Sequence, residues 1–430
     1  MPISHSRTVP EDAQGARSLV EALRVNGDRL WQTHLEIAKI GAIAGGGSNR
    51  LALTDDDRQA RDLFVDWCRE AGCTVRIDQM GNIFARRAGS DEHLPAVIAG
   101  SHLDTQPTGG IFDGVYGVLA ALEVIRALND AGVSTRHPIE AIVWSNEEGV
   151  RFSPAVIGSG VWAGAHDLAD AHSRTDVDGV TFGQALADIG YLGDVACAPF
   201  PIRAAFEAHI EQGPILENAE NTIGVVTAVQ GIRWFDIILN GRSCHAGSTP
   251  MEVRRDPVMA LATILDAVYR LAAEHAPNAR VTVGRLNAEP GAYNTVPQRV
   301  VASLDLRHPD EATLEQLSAK VAEIVTACCA SHDVDGQLRD ELGHNPVAFD
   351  PISIEAVQAA ADQLGYKSMR MVSGAAHDTM HVAQHAPAAM IFVPCEGGVS
   401  HHPDEMATAE DLEAGCNVLL HAMLRFAEPI

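Results

Sequence analysis

The chain has 430 residues, 46% hydrophobic and 20% charged, with 57 acidic against 31 basic side chains and a formal net charge of −26. That composition excludes a disordered chain, and an acidic balance without any lysine/arginine run argues against a nucleic-acid partner. No apolar run is long enough to span a bilayer and Met1 to Gln14 lack the apolar core of a secretion signal, so no membrane association and a cytoplasmic location are expected.

At this length two domains are the default. The eight cysteines (Cys68, Cys73, Cys197, Cys244, Cys328, Cys329, Cys395 and Cys416) form no CxxC pair, which is the expectation for reduced thiols. Residues from about Ala16 to Ala44 read as helical, with Leu19, Leu23, Leu30 and Leu35 as an apolar stripe. A glycine loop, Gly45-Gly46-Gly47-Ser48-Asn49, follows, and Thr54 caps a second helix from Asp55 to Ala71. Strands are expected at Thr74–Asp78 and Asn82–Ala85.

The apolar run Ala96–Ala99 opens a buried strand that ends at His102 and Asp104. A loop with Pro107, Gly109, Gly110 and Asp113-Gly114 leads into a long helix, where Val115, Leu119, Leu122, Ile125 and Leu128 recur at helical spacing. An imidazole and a carboxylate are thus delivered at a strand end and a helix start, where open α/β sheets place their sites. Three more buried strands end similarly. Ile139–Ser145 runs into Asn146-Glu147-Glu148-Gly149, Ala204–Ile210 carries His209 and leads to Gln212, and Ala388–Val393 leads to His401.

Between Glu217 and about Asp335 the texture changes. Strands are expected at Trp234–Leu239, Arg280–Leu286 and Val300–Leu306, with helices from Pro257 to Glu274 and from Glu311 to Ala330. Asp256 ahead of Pro257 is a capping side chain before proline at the first helical position. This order suggests a small α+β sandwich inserted into a larger α/β domain, with 218–335 as the insert and 1–217 plus 336–430 as the larger domain. No repeat or low-complexity segment interrupts the pattern.

His102, Asp113, Glu147/Glu148, His209 and His401 all stand on strand ends or the loops just beyond them. Imidazoles mixed with carboxylates suit a borderline divalent ion such as zinc, manganese, cobalt or nickel. With one shared carboxylate and two ions, each ion would keep a position open for water. Adjacent residues near a strand end point in different directions, so one of Glu147 and Glu148 can bind metal while its neighbour acts as a base.

The motifs GSHLDTQPTGG-x-x-DG, SNEEGVRF, EAHIEQGP, HAGSTPM, SGAAHD and SHHPDE, in this order over nearly the whole chain, carry a resemblance. The chain resembles the metal-dependent aminoacylase/carboxypeptidase superfamily, and within it the hydantoinase/carbamoylase branch of N-carbamoyl-L-amino-acid amidohydrolases, β-ureidopropionases and allantoate amidohydrolases. The resemblance implies an α/β fold: a di-metal aminopeptidase-like catalytic domain with an inserted α+β, ferredoxin-like lid and dimerisation domain. It implies two divalent ions per subunit, with Asp113 as the bridge. One ion would also hold His102 and His209, the other Glu148 and His401, and Glu147 would be the general base. Asp104 would accept the other N–H of His102 and orient it. His245, Asn294, Arg307 and Gln212 would contact substrate, as would Gly374 and Ala375 in the SGAAHD loop. His245 would also assist catalysis. The family usually shows SGAGHD, so the extra methyl of Ala376 is expected to narrow the pocket or tilt that loop.

The chemistry fits these residue types. A ureido carbon is a poor electrophile, so a metal must polarise its oxygen and acidify the attacking water. Glu147 would take the proton and pass it to the leaving nitrogen. His245 and Asn294 are donors for the developing oxyanion, and Arg307 offers a planar fork to a substrate carboxylate. The expected reaction is hydrolysis of an N-carbamoyl amino acid, of L-α or β-alanine type, to the amino acid, CO2 and ammonia. Allantoate or an N-acyl amino acid or dipeptide is the alternative substrate, and a metal-free binding protein on the same fold is the remote one. The resemblance also implies a homodimer paired through the inserted domain, each subunit presenting His245 and Asn294 to its partner's metals.

Overall fold

The computed structural model describes residues 20–430, which divide into two units. One comprises the described chain up to Thr227 together with Phe349–Ile430; the other is Ala228–Ala348. The N-terminal stretch Met1 to Gln14 and the expected start of the first helix, Ala16 to Leu19, lie outside the described residues.

The long first helix expected from Ala16 to Ala44 is interrupted. Residues 20–22 are helical, and α1 (Gly27–Ile37) starts anew because the Asn26 side chain accepts the Arg29 N–H and caps it. Leu30 and Ile37 are buried on α1, whereas Leu35 faces solvent. Thr54 caps α2 (Asp55–Glu70), whose first turn carries Asp55, Asp56 and Asp57, where the helix dipole favours negative charge. The strands β1 (Thr74–Ile77) and β2 (Ile83–Arg87) pair antiparallel. Then come β3 (Ala96–His102), α3 (Val115–Asp130), β4 (Ile139–Trp144), β5 (Ile202–Ile210) and β6 (Ile223–Val229).

In the second unit, β7 (Gly231–Asn240), β9 (Arg280–Thr282), β10 (Leu286–Glu289), β12 (Arg299–His308) and β13 (Asp335–His344) form an antiparallel sheet, and β8 (Cys244–His245) pairs with β11 (Thr295–Val296). β12 alternates between buried and half-exposed residues along its length. Its buried face packs with α4 (Pro257–Glu274) and α5 (Glu311–Ser331) in a core that includes Ile237, Leu239, Leu261, Val300 and Val321. Truncating such a leucine to alanine costs roughly 2–5 kcal/mol. Asp256 accepts the Val258 N–H at 2.9 Å ahead of Pro257, as the sequence leads one to expect.

Two details differ from expectation here. The strand expected over Arg280–Leu286 is split: Thr282 stands opposite Asp305 and Leu286 opposite Ala302, so one extra residue bulges between β9 and β10. The unit boundaries also shift along the chain, from the expected 218 and 335 to Ala228 and Ala348. β6 pairs with β16 (Ala388–Val393) through Gly224–Val226 and so extends the first unit past 217. β13 pairs with β7 nearly along its length and so extends the second past 335.

The first unit resumes with α6 (Pro351–Leu364), β15 (Ser368–Ser373), β16 (Ala388–Val393) and α7 (Ala409–Ala427). Its sheet has the order β1-β2-β4-β3-β5-β16-β6, with β15 also against β6; within the second unit β14 (Val347–Ala348) pairs with Ala228–Val229 at the end of β6. The four strands β4, β3, β5 and β16 are mutually parallel, and β3, β4 and β16 are buried throughout, as parallel strands covered on both faces are. α3 is buried nearly all round because it packs against β3, β4, β5, α1 and α7. Parallel strands end at one edge, with His102 opposite Trp144 and His209 opposite Phe392. The segments leading to Glu147 and His401 leave from that same edge. No helix among the described residues is long and apolar enough to cross a membrane, and all eight cysteines are free thiols.

Candidate metal centre

At this sheet edge the expected residues meet. His102, Asp113 and His209 form one group of potential ligand atoms, and Asp113, Glu148 and His401 another, each with atoms within 4.8 Å of one another. Asp113 is common to both. Its Oδ1 lies 3.1 Å from His209 Nε2 and 3.7 Å from His102 Nε2, and its Oδ2 lies 3.2 Å from His401 Nε2. Glu148 approaches His401 Nε2 at 3.6 Å, and Glu147 approaches His102 Nε2 at 3.5 Å. The adjacent glutamates therefore face different sides of the pocket.

The imidazoles are oriented from behind. Nδ1 of His102 hydrogen-bonds the backbone oxygen of Asp104 and Nδ1 of His209 that of Ile210, both at 2.9 Å, which turns each Nε2 toward Asp113. This corrects the expectation for Asp104, whose carboxylate stands 3.9 Å from His102 Nδ1. That carboxylate instead accepts the backbone N–H groups of Glu147 and Glu148. Gly114 follows Asp113 with φ +69, and a Cβ there would overlap the His102 ring, so only glycine fits between Asp113 and that imidazole.

Three non-glycine residues of the pocket, Asn146, Gln212 and His401, hold positive φ of 56°, 57° and 56°. Each such residue costs on the order of 1–3 kcal/mol and persists only where its surroundings fix it. Asn146 is fixed by its side-chain N–H donating to the Phe152 oxygen at 2.7 Å. Gln212 is held beside Asp113, its Nε2 donating to Asp113 Oδ2 at 2.8 Å.

The electrostatics favour a cation. Burial first, then neighbouring carboxylates, pushes the Glu147 acid well above the usual range and Glu148 up to about 8; Asp104 rises to about 7 for the same reasons. The Asp113 hydrogen bond raises His401 to about 9. For His209 burial opposes the charge, but the hydrogen bond to Asp113 and its charge prevail and lift the pKa to about 9. Protons thus gather where negative charge is in excess, and a divalent ion supplies the same compensation more fully. Nitrogen and oxygen donors, among them three imidazoles with Nε2 directed at Asp113, fit a borderline metal.

The remaining expected residues fall in two places. Gly374 and Ala375 stand in the loop after β15, wrapped on Ser373, whose Oγ accepts the Ala375 N–H at 3.1 Å. His245 and Asn294 come together within the second unit, where the Ala246 N–H donates to the Asn294 oxygen at 2.9 Å and His245 lies opposite Thr295. Arg307 lies on the half-exposed face of β12, its Nε and Nη2 both donating to Asp305.

Other residues enter the first-unit pocket that single-residue reasoning passed over. Gln106 Nε2 donates to Glu148 Oε2 at 2.6 Å, and the His377 ring packs edge-on against His209 at 4.6 Å. Asp378 accepts from Ser159 Oγ at 2.5 Å. Ser400 and Glu405 reach the Asp113 loop. Their signal is membership of a motif: Gln106, Ser400 and Glu405 stand in motifs that hold candidate ligands, and His377 and Asp378 stand in SGAAHD.

Comparison with known proteins places this geometry in context. The family described as Peptidase family M20/M25/M40 matches residues 98–425. A protein of Rhizobium meliloti named N-carbamoyl-L-amino-acid amidohydrolase is 47% identical over 409 residues, covering 95% of this chain and 98% of that one. The allantoate amidohydrolase of Bacillus subtilis (strain 168) is 33% identical over 393 residues, covering 91% and 95%. Among solved structures, an amidase of the hydantoinase/carbamoylase family from Burkholderia multivorans matches with a TM-score of 0.92 at 51% identity, covering 95% of this chain and 100% of that one.

Proposed function

From the premise that this chain belongs to peptidase family M20/M25/M40, in its hydantoinase/carbamoylase branch, we propose a metal-dependent amidohydrolase that cleaves the carbamoyl C–N bond of N-carbamoyl amino acids. The products are the free amino acid, CO2 and ammonia. The observation that carries this reading is Asp113 shared between the His102/His209 group and the Glu148/His401 group.

We assign His102, Asp113 and His209 to one divalent ion and Asp113, Glu148 and His401 to a second, zinc or else manganese, cobalt or nickel. Bound there, the ions would supply Lewis-acid polarisation of the ureido oxygen and acidify water. Glu147, which binds neither ion in this assignment, takes the proton of the attacking water and returns it to the leaving nitrogen. His245 and Asn294 donate to the developing oxyanion, and Arg307 receives the substrate carboxylate as a planar fork. Asp305 orients that fork by occupying its Nε edge. Gln212, Gly374 and Ala375 bound the substrate from the catalytic unit.

The enzyme acts in the cytoplasm, consistent with eight free thiols, and as a homodimer in which His245 and Asn294 of one subunit serve the partner's metals. Ammonia release from N-carbamoyl-β-alanine, N-carbamoyl-L-amino acids and allantoate, compared side by side after reconstitution with each metal, tests the reading. Allantoate as the preferred substrate would move the chain to the specificity of its Bacillus subtilis relative.

A further inference from the structure

Glu405 is a buried carboxylate whose side-chain hydrogen bonds run to the two loops that carry Asp113 and His401. Its Oε1 accepts the backbone N–H groups of Phe112 at 2.9 Å and Asp113 at 3.0 Å. Its Oε2 accepts from Ser400 Oγ at 2.8 Å, one residue before His401. Gly110 makes room for it: a Cβ at that position would overlap the Glu405 carboxylate.

Ser400 has one hydroxyl proton and two carboxylates within reach. Asp113 Oδ2 lies 3.3 Å from Ser400 Oγ, farther than Glu405 Oε2. A hydroxyl donates to one acceptor at a time, so Glu405 draws that proton away from Asp113 Oδ2. Oδ2 is the atom that faces His401 Nε2 at 3.2 Å. We propose that Glu405 is a positioning residue for the Asp113/Glu148/His401 ion: it fastens the Asp113 loop to the His401 loop and turns the Ser400 hydroxyl away from the ligand oxygen. This rests on the metal-centre reading above.

The substitution that isolates this role is Glu405→Gln. It keeps the shape, and its amide oxygen can still accept the Phe112 and Asp113 N–H groups. Its NH2 group, however, can only donate to Ser400, which forces the Ser400 proton onto Asp113 Oδ2. A role in packing alone predicts no change for this variant. The proposal predicts that the second ion binds roughly 10–100-fold more weakly, as loss of such supporting hydrogen bonds does elsewhere, while the first ion is retained. Removing the hydroxyl in the double variant Ser400→Ala/Glu405→Gln should restore much of the affinity.

The measurement is titration of the chelator-stripped full-length protein with cobalt(II) alone, read by visible absorption, with metal content by elemental analysis and circular dichroism for the fold. Gly110→Ala, which displaces the carboxylate, should weaken the second ion independently, so the test survives if one variant fails to fold. His401→Ala is the control and should bind one ion. If that control loses an ion while Glu405→Gln binds both ions with unaltered affinity, the role of Glu405 is overturned and the metal centre stands. If His401→Ala still binds two ions, the ligand assignment falls and the role of Glu405 with it.

Discussion

Asp104 reaches from the end of β3 to the end of β4 and takes the backbone N–H of Glu147 at 3.2 Å on one carboxylate oxygen, and that of Glu148 at 3.2 Å on the other. The turn after β4 is thereby fixed by a side chain from the neighbouring strand. With the backbone held at both N–H groups, the glutamates diverge, Glu147 toward His102 and Glu148 toward His401. Two identical residues side by side acquire different neighbours, and so different expected roles.

The glutamate pair supplies the first prediction. Glu147→Gln should keep both ions yet lose most of kcat, whereas Glu148→Gln should lose one ion. Elemental analysis alongside steady-state kinetics checks this, and equal metal loss in both variants would reverse or sink the assignment.

Metal uptake should release protons. His209 and His401 have pKa values raised to about 9 by Asp113, and burial raises Glu148 to about 8, so all three hold protons at pH 7.5 that a bound ion must displace. Apparent affinity should therefore rise with pH up to about 9 and level off above it. Titration calorimetry in two buffers of different ionisation enthalpy measures the release directly, and identical heats in both would contradict it.

His34 predicts an acid lability unrelated to turnover. Its ring is fully buried, stacked on Phe112 at 4.8 Å with Nε2 2.7 Å from the Ile111 oxygen, and burial, then the charge of Arg50, lowers its pKa to about 4. The unfolded chain takes up this proton below pH 6.5 while the folded chain refuses it. Stability is thus lost as pH falls from about 6.5 toward 4, by about 1.4 kcal/mol per pH unit from this group. His34→Gln should show a smaller drop in Tm between pH 7 and pH 5; parallel profiles would show that His34 does not contribute.

Subunit sharing is testable by complementation. Glu147→Gln and His245→Ala homodimers should each be nearly inactive, and refolding them together should form heterodimers with one intact composite site. Activity should return in the mixture alone. Mixed dimers recovered by tagged pull-down without activity would mean that His245 serves its own chain.

The sequence made the first-unit site legible because each strand signals itself by an apolar run and each candidate ligand stands at a strand end or in the loop beyond it. What it hid were relations set by tertiary packing. Nothing in GSHLD says that the backbone oxygen of Asp104, rather than its carboxylate, meets His102, because that choice depends on where β4 ends. Periodicity runs straight through Asn26, although its side chain caps a new helix, and it places Leu35 in the apolar stripe with the buried Leu30, although Leu35 faces solvent. The bulge between β9 and β10 arises from register against β12, which local propensity does not encode. Glu405 was visible as a motif letter, but its hydrogen bonds to Phe112 and Asp113 join residues 293 and 292 positions apart.

The reaction proposed is metal-assisted hydrolysis of a carbamoyl C–N bond around Asp113. Its most direct test is product stoichiometry from an N-carbamoyl-L-amino acid, with the metal-reconstituted protein set beside its chelator-treated form. Equimolar ammonia and free amino acid are expected from the first and neither from the second. Cleavage of N-acyl amino acids without ammonia release from any ureido substrate would contradict it.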